Sequence, residues 1–221
     1  MIRSALPGLL LLAFAGQQAT TTVAADAADA AFSLPGDYAQ STSLADLEAR
    51  FGAANIRIDD TPGGVYHGVV LFPDDPTRRA YVEFYDDAPL AGLHAIRIRD
   101  RDSKWRGKHG VRVGMPLAEL RAINGKPFHL SGFDQQRRAW VHDTWSPALD
   151  DDDASLGKLD VDEGEHMYFE VELALREGAR GGDAPANEAS ISSDDPMYPR
   201  LGEIAEVAAF GATTSLDDEW E

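Results

Sequence analysis

The most regular feature of the chain is a short helical pattern that occurs twice. Within the segment 43–52, Leu44, Leu47 and Phe51 recur at helical spacing, and the segment opens with a capping serine and closes with a glycine. The segment 116–125 repeats this pattern, with proline at its first position and glycine again at its end. Five of the ten aligned positions are identical. This likeness predicts an internal repeat.

After each helix, the period of the apolar positions changes from helical to alternating. Runs of β-branched and aromatic residues, separated by turn residues, predict strands over 55–59, 65–72, 80–85, 93–98, 128–130, 138–143, 167–175 and 203–210. Each half therefore consists of a short helix followed by an antiparallel β-meander. The predicted fold class is α+β, with two tandem repeats over residues 43–105 and 106–213.

The N-terminus has the order of a signal peptide, with one arginine, a short apolar core and then small residues. The apolar core is shorter than the ~20 residues that span a bilayer. We therefore expect residues 1–25 to be a leader that is cleaved after Ala15 or Ala25. Residues 26–42 contain few large apolar side chains and predict a flexible lead-in, and residues 214–221 form an acidic tail. A periplasmic or secreted protein is expected.

Cysteine is absent from the chain, which excludes disulfides and a lipid anchor on cysteine. No later segment is apolar enough to predict a transmembrane helix. Two long insertions, 146–165 and 176–200, interrupt the second half and are rich in Asp, Gly, Ala and Ser. Loops of this length are usually functional or disordered.

Charge is distributed unevenly. The chain carries 20 Lys and Arg against 38 Asp and Glu, for a net charge of −18, and such a surface repels nucleic acid. Residues 97–112 instead hold seven basic and two acidic residues. Alternation along a strand predicts that their first three arginines share one sheet face. The candidate partner-binding residues are Arg97, Arg99, Arg101, Lys104 and Arg106.

Two interpretations of this basic segment are open. Its side chains pair with the protein's own carboxylates where the halves meet, or they form a docking surface for an anionic partner. Bidentate arginine contacts suit a protein carboxylate, a glycan or a lipopolysaccharide phosphate.

Motifs of the common enzyme classes do not occur in the sequence, so no catalytic or cofactor-binding residue is assigned. His142 lies beside Asp143 on a predicted strand and is a candidate general base. Neighbouring strand residues point to opposite faces, which argues against a direct contact between them. An exported hydrolase that uses dispersed carboxylates and His142 remains an alternative.

The first insertion contains a dense acidic run. Its candidate metal ligands are Asp160, Asp162, Glu163 and Glu165, and weak calcium binding is one interpretation because calcium prefers carboxylate oxygens. The run imitates the start of a calcium loop, but its glycine comes one position too early for an EF-hand. A solvated, self-repelling loop is the other interpretation. A calcium-responsive surface protein is therefore a further alternative.

The segment 114–127 reads Gly-Met-Pro-Leu-Ala-Glu-Leu and ends in Gly-Lys-Pro. It resembles the Gly-Met-x-x-x-x-Leu…Gly-x-Pro helix of small exported helix-plus-sheet modules. These include the small lipoprotein of the β-barrel assembly machinery and the tandem-repeat β-lactamase inhibitor proteins. The resemblance implies a module that binds other proteins and is not an enzyme. We therefore expect an exported, non-catalytic binding or adaptor module whose partner is an envelope or extracellular protein or an anionic glycan.

Overall fold

The computed structural model describes residues 30–58, 67–142, 145, 157–160, 167–180, 182–186 and 190–214. These residues form a mixed α and β protein with a mostly antiparallel sheet and few helices. The predicted leader and the acidic tail beyond Thr214 lie outside the described residues.

The helices are short, and the strands vary from three to nine residues. The helices are α1 (Leu44–Phe51), α2 (Leu117–Asn124) and α3 (Leu201–Ile204). The strands are β1 (Ile56–Ile58), β2 (His67–Leu71), β3 (Ala80–Asp87), β4 (Leu90–Ile98), β5 (His129–Ser131), β6 (Arg138–Trp140), β7 (Tyr168–Leu175), β8 (Ser190–Ser192) and β9 (Ala205–Thr213).

Seven of these strands form one sheet in the order β1-β2-β3-β4-β9-β7-β6. Every neighbouring pair in this sheet is antiparallel. The remaining two strands, β5 and β8, form a separate antiparallel ladder. The β4–β9 pair therefore joins the first half of the chain to the second.

Local sequence accounts for the ends of both main helices. Ser43 caps α1: its hydroxyl accepts a hydrogen bond from the Asp46 N–H, and the Asp46 carboxylate accepts one from the Ser43 N–H. The helix α2 begins after Pro116 without a side-chain cap and ends at Gly125, which adopts a left-handed conformation with φ of 83°. These ends confirm the two predicted helices.

One hydrophobic core lies between the helices and a single face of the sheet. Val82 and Ile96 are paired neighbours on this face, and both are fully buried. Leu47 of α1 and Leu120 of α2 belong to the same core cluster. Complete burial of such a side chain contributes roughly 1.5–3 kcal/mol.

The segment before α1 is part of the packed structure. Leu34 and Tyr38 are 2% and 3% exposed, and the Leu34 N–H donates to the carbonyl of Arg106. The Phe32 ring packs edge-on against Trp105 with centroids 5.2 Å apart. For residues 30–42 the structure thus corrects the expectation of a flexible lead-in, because a few spaced apolar residues are enough to fix this stretch.

Two elements of the second half were not expected. The predicted strand 203–210 occurs as β9 from Ala205 onward, but its first two residues belong to the unexpected helix α3. The second insertion contains β8, which pairs with β5. Of the helices in the described part of the chain, none has the length and apolar character needed to cross a bilayer.

Candidate functional site

The outer face of the sheet, opposite the core, carries several ion pairs between described residues. Register places Glu83 of β3, Arg97 of β4, Gly211 of β9 and Glu170 of β7 on this face. Arg97 pairs directly with Gly211, and Gly211 pairs in turn with Glu170. A line of residues thus crosses the four central strands.

The arginine on this line holds two carboxylates, and we call Glu83, Arg97 and Glu170 the central ion row. The Arg97 guanidinium lies 2.9 Å from Glu83 Oε2 and 2.7 Å from Glu170 Oε1. The side chains of Arg97, Glu83 and Glu170 are only 20%, 7% and 21% exposed, respectively. Charged pairs buried to this degree are costly to break.

Gly211 has no side chain, and this leaves room for the central ion row. A Cβ atom at this position would lie 2.4 Å from the Ile96 carbonyl oxygen, 3.0 Å from Glu170 Oε1 and 3.2 Å from Arg97 Cγ. A side chain at position 211 would therefore collide with the Ile96 backbone and crowd the arginine and the carboxylate. Glycine at the centre of a strand often marks such a close approach.

Burial and the neighbouring charges shift the pKa values of Glu170 and Arg97 in opposite directions. Burial raises the pKa of Glu170, although the nearby Arg97 lowers it. Burial lowers the pKa of Arg97, but the two glutamates outweigh this effect and raise it above its ordinary value. The row therefore keeps its arginine charged, and the pKa of Glu170 lies above its ordinary value.

Two further ion clusters lie on the same face. Glu206 of β9 contacts both Arg101 and Arg176, and Arg176 Nε lies 2.8 Å from its carboxylate. Arg138 of β6 lies 2.9 Å from Glu172 of β7. With the central ion row, these clusters fix four carboxylates and four guanidinium groups across the face.

The five candidate partner-binding residues have three different environments. Arg97 and Arg101 both contact carboxylates of the outer face, but Arg101 follows the end of β4 and belongs to a different cluster. The Arg106 guanidinium donates to the carbonyls of Ser103 and Trp105. Arg99 and Lys104 are exposed, and neither forms an ion pair with another described residue.

Aromatic side chains stand beside the ion clusters. Trp140 pairs with Glu172 and Tyr168 pairs with Thr213, which places both rings on the outer face. Their residues are 46% and 36% exposed. Trp, Tyr and Arg are enriched among residues that dominate binding energy in protein interfaces, so this face has the composition of a docking surface.

Only one of the predicted metal ligands lies in the described residues. The Asp160 backbone carbonyl accepts a hydrogen bond from the Lys108 ammonium. Asp162, Glu163 and Glu165 lie outside the described part of the chain. Within the described part, no group of three His, Asp or Glu side chains is arranged to hold a metal ion.

His142, the candidate general base, lies near a hydroxyl. Its Nε2 is 3.4 Å from Ser190 Oγ on the β5–β8 ladder, and its backbone N–H donates to the His129 carbonyl. A nucleophilic serine needs a base that is oriented by a third group. No described residue forms a hydrogen bond with the other ring nitrogen of His142, and its sequence neighbour Asp143 lies outside the described residues.

Sequence reasoning did not identify Glu83, Glu170 or Glu172 as part of this surface. Glu170 and Glu172 alternate with apolar residues along β7, and that alternation places them together on the outer face. Their partners lie on other strands, which local patterning does not reveal.

Comparison of the chain with protein-family models, with curated proteins and with solved structures gives no match. The residues and their geometry are therefore the basis for inferring its function.

Proposed function

We propose that the protein is an exported, non-catalytic binding module that holds an envelope or extracellular protein on the outer face of its sheet. The composition of that face carries this proposal: ion clusters cover its centre, and Trp140 and Tyr168 are exposed beside them. Side chains already fixed by ion pairs lose little conformational freedom when a partner binds. The face is thus pre-organised for docking.

We also propose that the two halves are tandem repeats. Outward from the central β4–β9 pair, the sheet continues through β3, β2 and β1 on one side and through β7 and β6 on the other. A bridge between Leu130 and Val141 brings β5 beside β6. This near-symmetric order, together with the repeated helix pattern, supports a duplication. Tandem helix-plus-sheet modules that bind proteins are also the group that the segment 114–127 resembles.

Arg99 and Lys104 are the cations that an anionic partner would contact when it docks on this face. Because both are exposed, their contribution should depend on salt. An acidic protein surface fits these charges beside the aromatic rings. An anionic glycan would also need these two cations, so their loss tests for it.

Site-specific photo-crosslinking in the cell envelope tests the proposal. A photoreactive residue at Tyr168 should give one discrete protein adduct, which mass spectrometry would identify. Met197 is the matched control, since it is 75% exposed and lies outside the sheet. The intact mass of the same purified protein should begin at Gly16 or Asp26 if the leader is cleaved as predicted.

Equal labelling from positions 168 and 197, or no adduct from 168, would contradict docking on the outer face. If carbohydrate co-purifies and is lost only when Arg99 and Lys104 are changed to Gln, the partner is an anionic glycan.

A second candidate function, an exported hydrolase, is favoured only by the contact between His142 and Ser190. Labelling of the purified protein with a fluorophosphonate probe tests it. Labelling that disappears in Ser190→Ala and in His142→Gln would support a serine nucleophile. An unlabelled wild-type protein would remove this candidate.

A further inference from the structure

A cleft of about 770 Å³ lies between α1 and the end of the first half of the sheet. Its apolar lining comes from Leu44 of α1, Ile58 at the end of β1, and Pro89 and Leu90 before β4. Ile58 pairs with the fully buried Val69 and so points to the core side of the sheet, yet it is 70% exposed. The aliphatic side chain of Ile58 is therefore exposed in the cleft.

The charges that line this cleft are negative. Glu48 of α1 and Asp87 of β3 both line it, and Asp87 Oδ2 lies 3.6 Å from His67 Nε2. Among the described residues of the lining, none is Lys or Arg. The cleft thus combines aliphatic walls with carboxylates, which is complementary to an apolar molecule that carries a positive charge.

The corresponding side of α2 has a different neighbour. There α3 precedes β9 and lies against α2, so that a Cβ atom on Gly202 would be 3.1 Å from the Ala118 Cβ. In the first half, a tight turn precedes β4, and Ala45, which aligns with Ala118, lines the open cleft. Of the described elements, none fills the place beside α1 that α3 takes beside α2.

We propose that this cleft binds a small aliphatic molecule that carries an ammonium group. The alkyl chain packs against Leu44, Ile58 and Pro89, and the ammonium group lies near Glu48 and Asp87. The cleft volume falls within the roughly 300–1,000 Å³ of small-molecule sites. Each methylene group that becomes buried tightens binding about fourfold. This inference does not depend on the outer face or its partner.

Calorimetry with decylammonium below its micellar concentration tests the site on the purified protein. Saturable binding is expected, and decanoate of the same chain length should bind at least about tenfold more weakly, because the carboxylates repel it. Ala45→Trp should abolish binding of decylammonium by filling the cleft. Ala49→Trp is the matched control on the same helix, since Ala49 is exposed and lines a different groove, and it should bind as the wild type does.

The contribution of charge is tested separately. The double variant Glu48→Gln, Asp87→Asn should bind decylammonium ~3–10-fold more weakly, as expected for two exposed ionic contacts. Its thermal midpoint should not change, since both side chains are exposed. A folded double variant that retained full affinity would overturn the assignment of these carboxylates.

Three results would overturn the proposal as a whole. These are no saturable heat with decylammonium, equal affinity for decanoate, or unchanged binding by a folded Ala45→Trp variant. None of them bears on crosslinking at Tyr168, so failure of this site can be told apart from failure of the proposed docking face.

Discussion

The helices α1 and α2 share five of ten residues over their segments, yet the last residue of each is anchored by different chemistry. Phe51 at the end of α1 packs in an aromatic cluster, with ring centroids 5.8 Å from Phe32, 5.5 Å from Phe72 and 6.2 Å from Trp105. The aligned residue of α2 is Asn124, which is 1% exposed. Apolar packing thus fixes the first helix end, and hydrogen bonds fix the second.

Asn124 joins three parts of the second half. Its amide group donates to the carbonyls of Lys126 and Trp145, both at 3.0 Å, and its side-chain oxygen accepts from the Leu159 N–H at 3.2 Å. Gly157 leaves room for this contact, because a Cβ atom there would lie 2.0 Å from Asn124 Oδ1. Leu159 is fully buried, so the acidic insertion is attached to the core at this point.

The difference shows what a repeated pattern does and does not determine. Helix formation follows from local caps and apolar spacing, which both segments have. The depth of burial follows from whichever distant segment packs on the helix. That segment is 30–42 for α1, whereas residues 157–160 and α3 pack on α2. Among the described elements, α3 covers the side of α2 that corresponds to the open cleft beside α1.

The largest expected effect tests whether the two helices are equivalent in the core. Leu47→Ala and Leu120→Ala should each lower the free energy of unfolding by about 4 kcal/mol, because both side chains are essentially fully buried. Urea denaturation measures the change. If either variant kept the wild-type midpoint, the alignment of the two helices as repeats would be wrong.

Asn124→Leu should remove the hydrogen bonds that hold the end of α2. It leaves the Leu159 N–H and two carbonyls without their partner inside the protein, at a total cost of about 3 kcal/mol. In the first half, Phe51→Leu should cost about 1 kcal/mol, because the aromatic cluster accepts another apolar side chain. Equal losses in the two variants would contradict the contrast between the two anchors.

A substitution in the central ion row tests whether the row stabilises the junction between the two halves. Arg97→Gln leaves two largely buried carboxylates uncompensated and should cost about 2 kcal/mol, below the value for a fully buried pair because Arg97 keeps some solvent contact. Arg99→Gln, two residues away and exposed, should change stability by less than about 0.5 kcal/mol. A stable Arg97→Gln variant would show that the row is not a structural tie.

The smallest expected effect is a pH dependence at the same junction. Burial raises the pKa of Glu170 above its ordinary value of 4.5, so the folded state binds more protons than the unfolded chain between the two values. Glu170 therefore makes the protein less stable as pH rises through that interval. The Glu170→Gln variant lacks this pH dependence, so the stability of the variant relative to the wild type should increase with pH. Denaturation curves at several pH values would detect the trend, and a constant difference would refute it.

Local features were the predictable part of the fold. The helices were expected within 43–52 and 116–125 and occur at Leu44–Phe51 and Leu117–Asn124, because their caps and apolar period lie within each segment. The strand β8 was missed because its three residues include only one apolar side chain, Ile191, and are too few to show a recognisable period. Its stability depends on pairing with β5, a contact that only the tertiary structure supplies.

The candidate site was predictable to the same extent. Alternation predicted that Arg97, Arg99 and Arg101 share one sheet face, and of these only Arg97 lies within β4. Its partner Glu170 lies 73 residues away in sequence and faces Arg97 only because β9 enters between β4 and β7. The strand end at Ile98 also separates Arg101 from the regular alternation. Such relations depend on strand order, which periodicity does not encode.

The position of β9 has a consequence for biogenesis. It lies between β4 and β7 at the centre of the sheet, and Thr213 contacts the His94 carbonyl 119 residues earlier in the sequence. Every other described strand leaves the ribosome before β9 does. Until β9 arrives, β4 and β7 have no partner between them, and unpaired strand edges promote aggregation. A chain truncated before Ala205 would keep both edges exposed, so quality control by proteases should remove it much faster than the full-length chain.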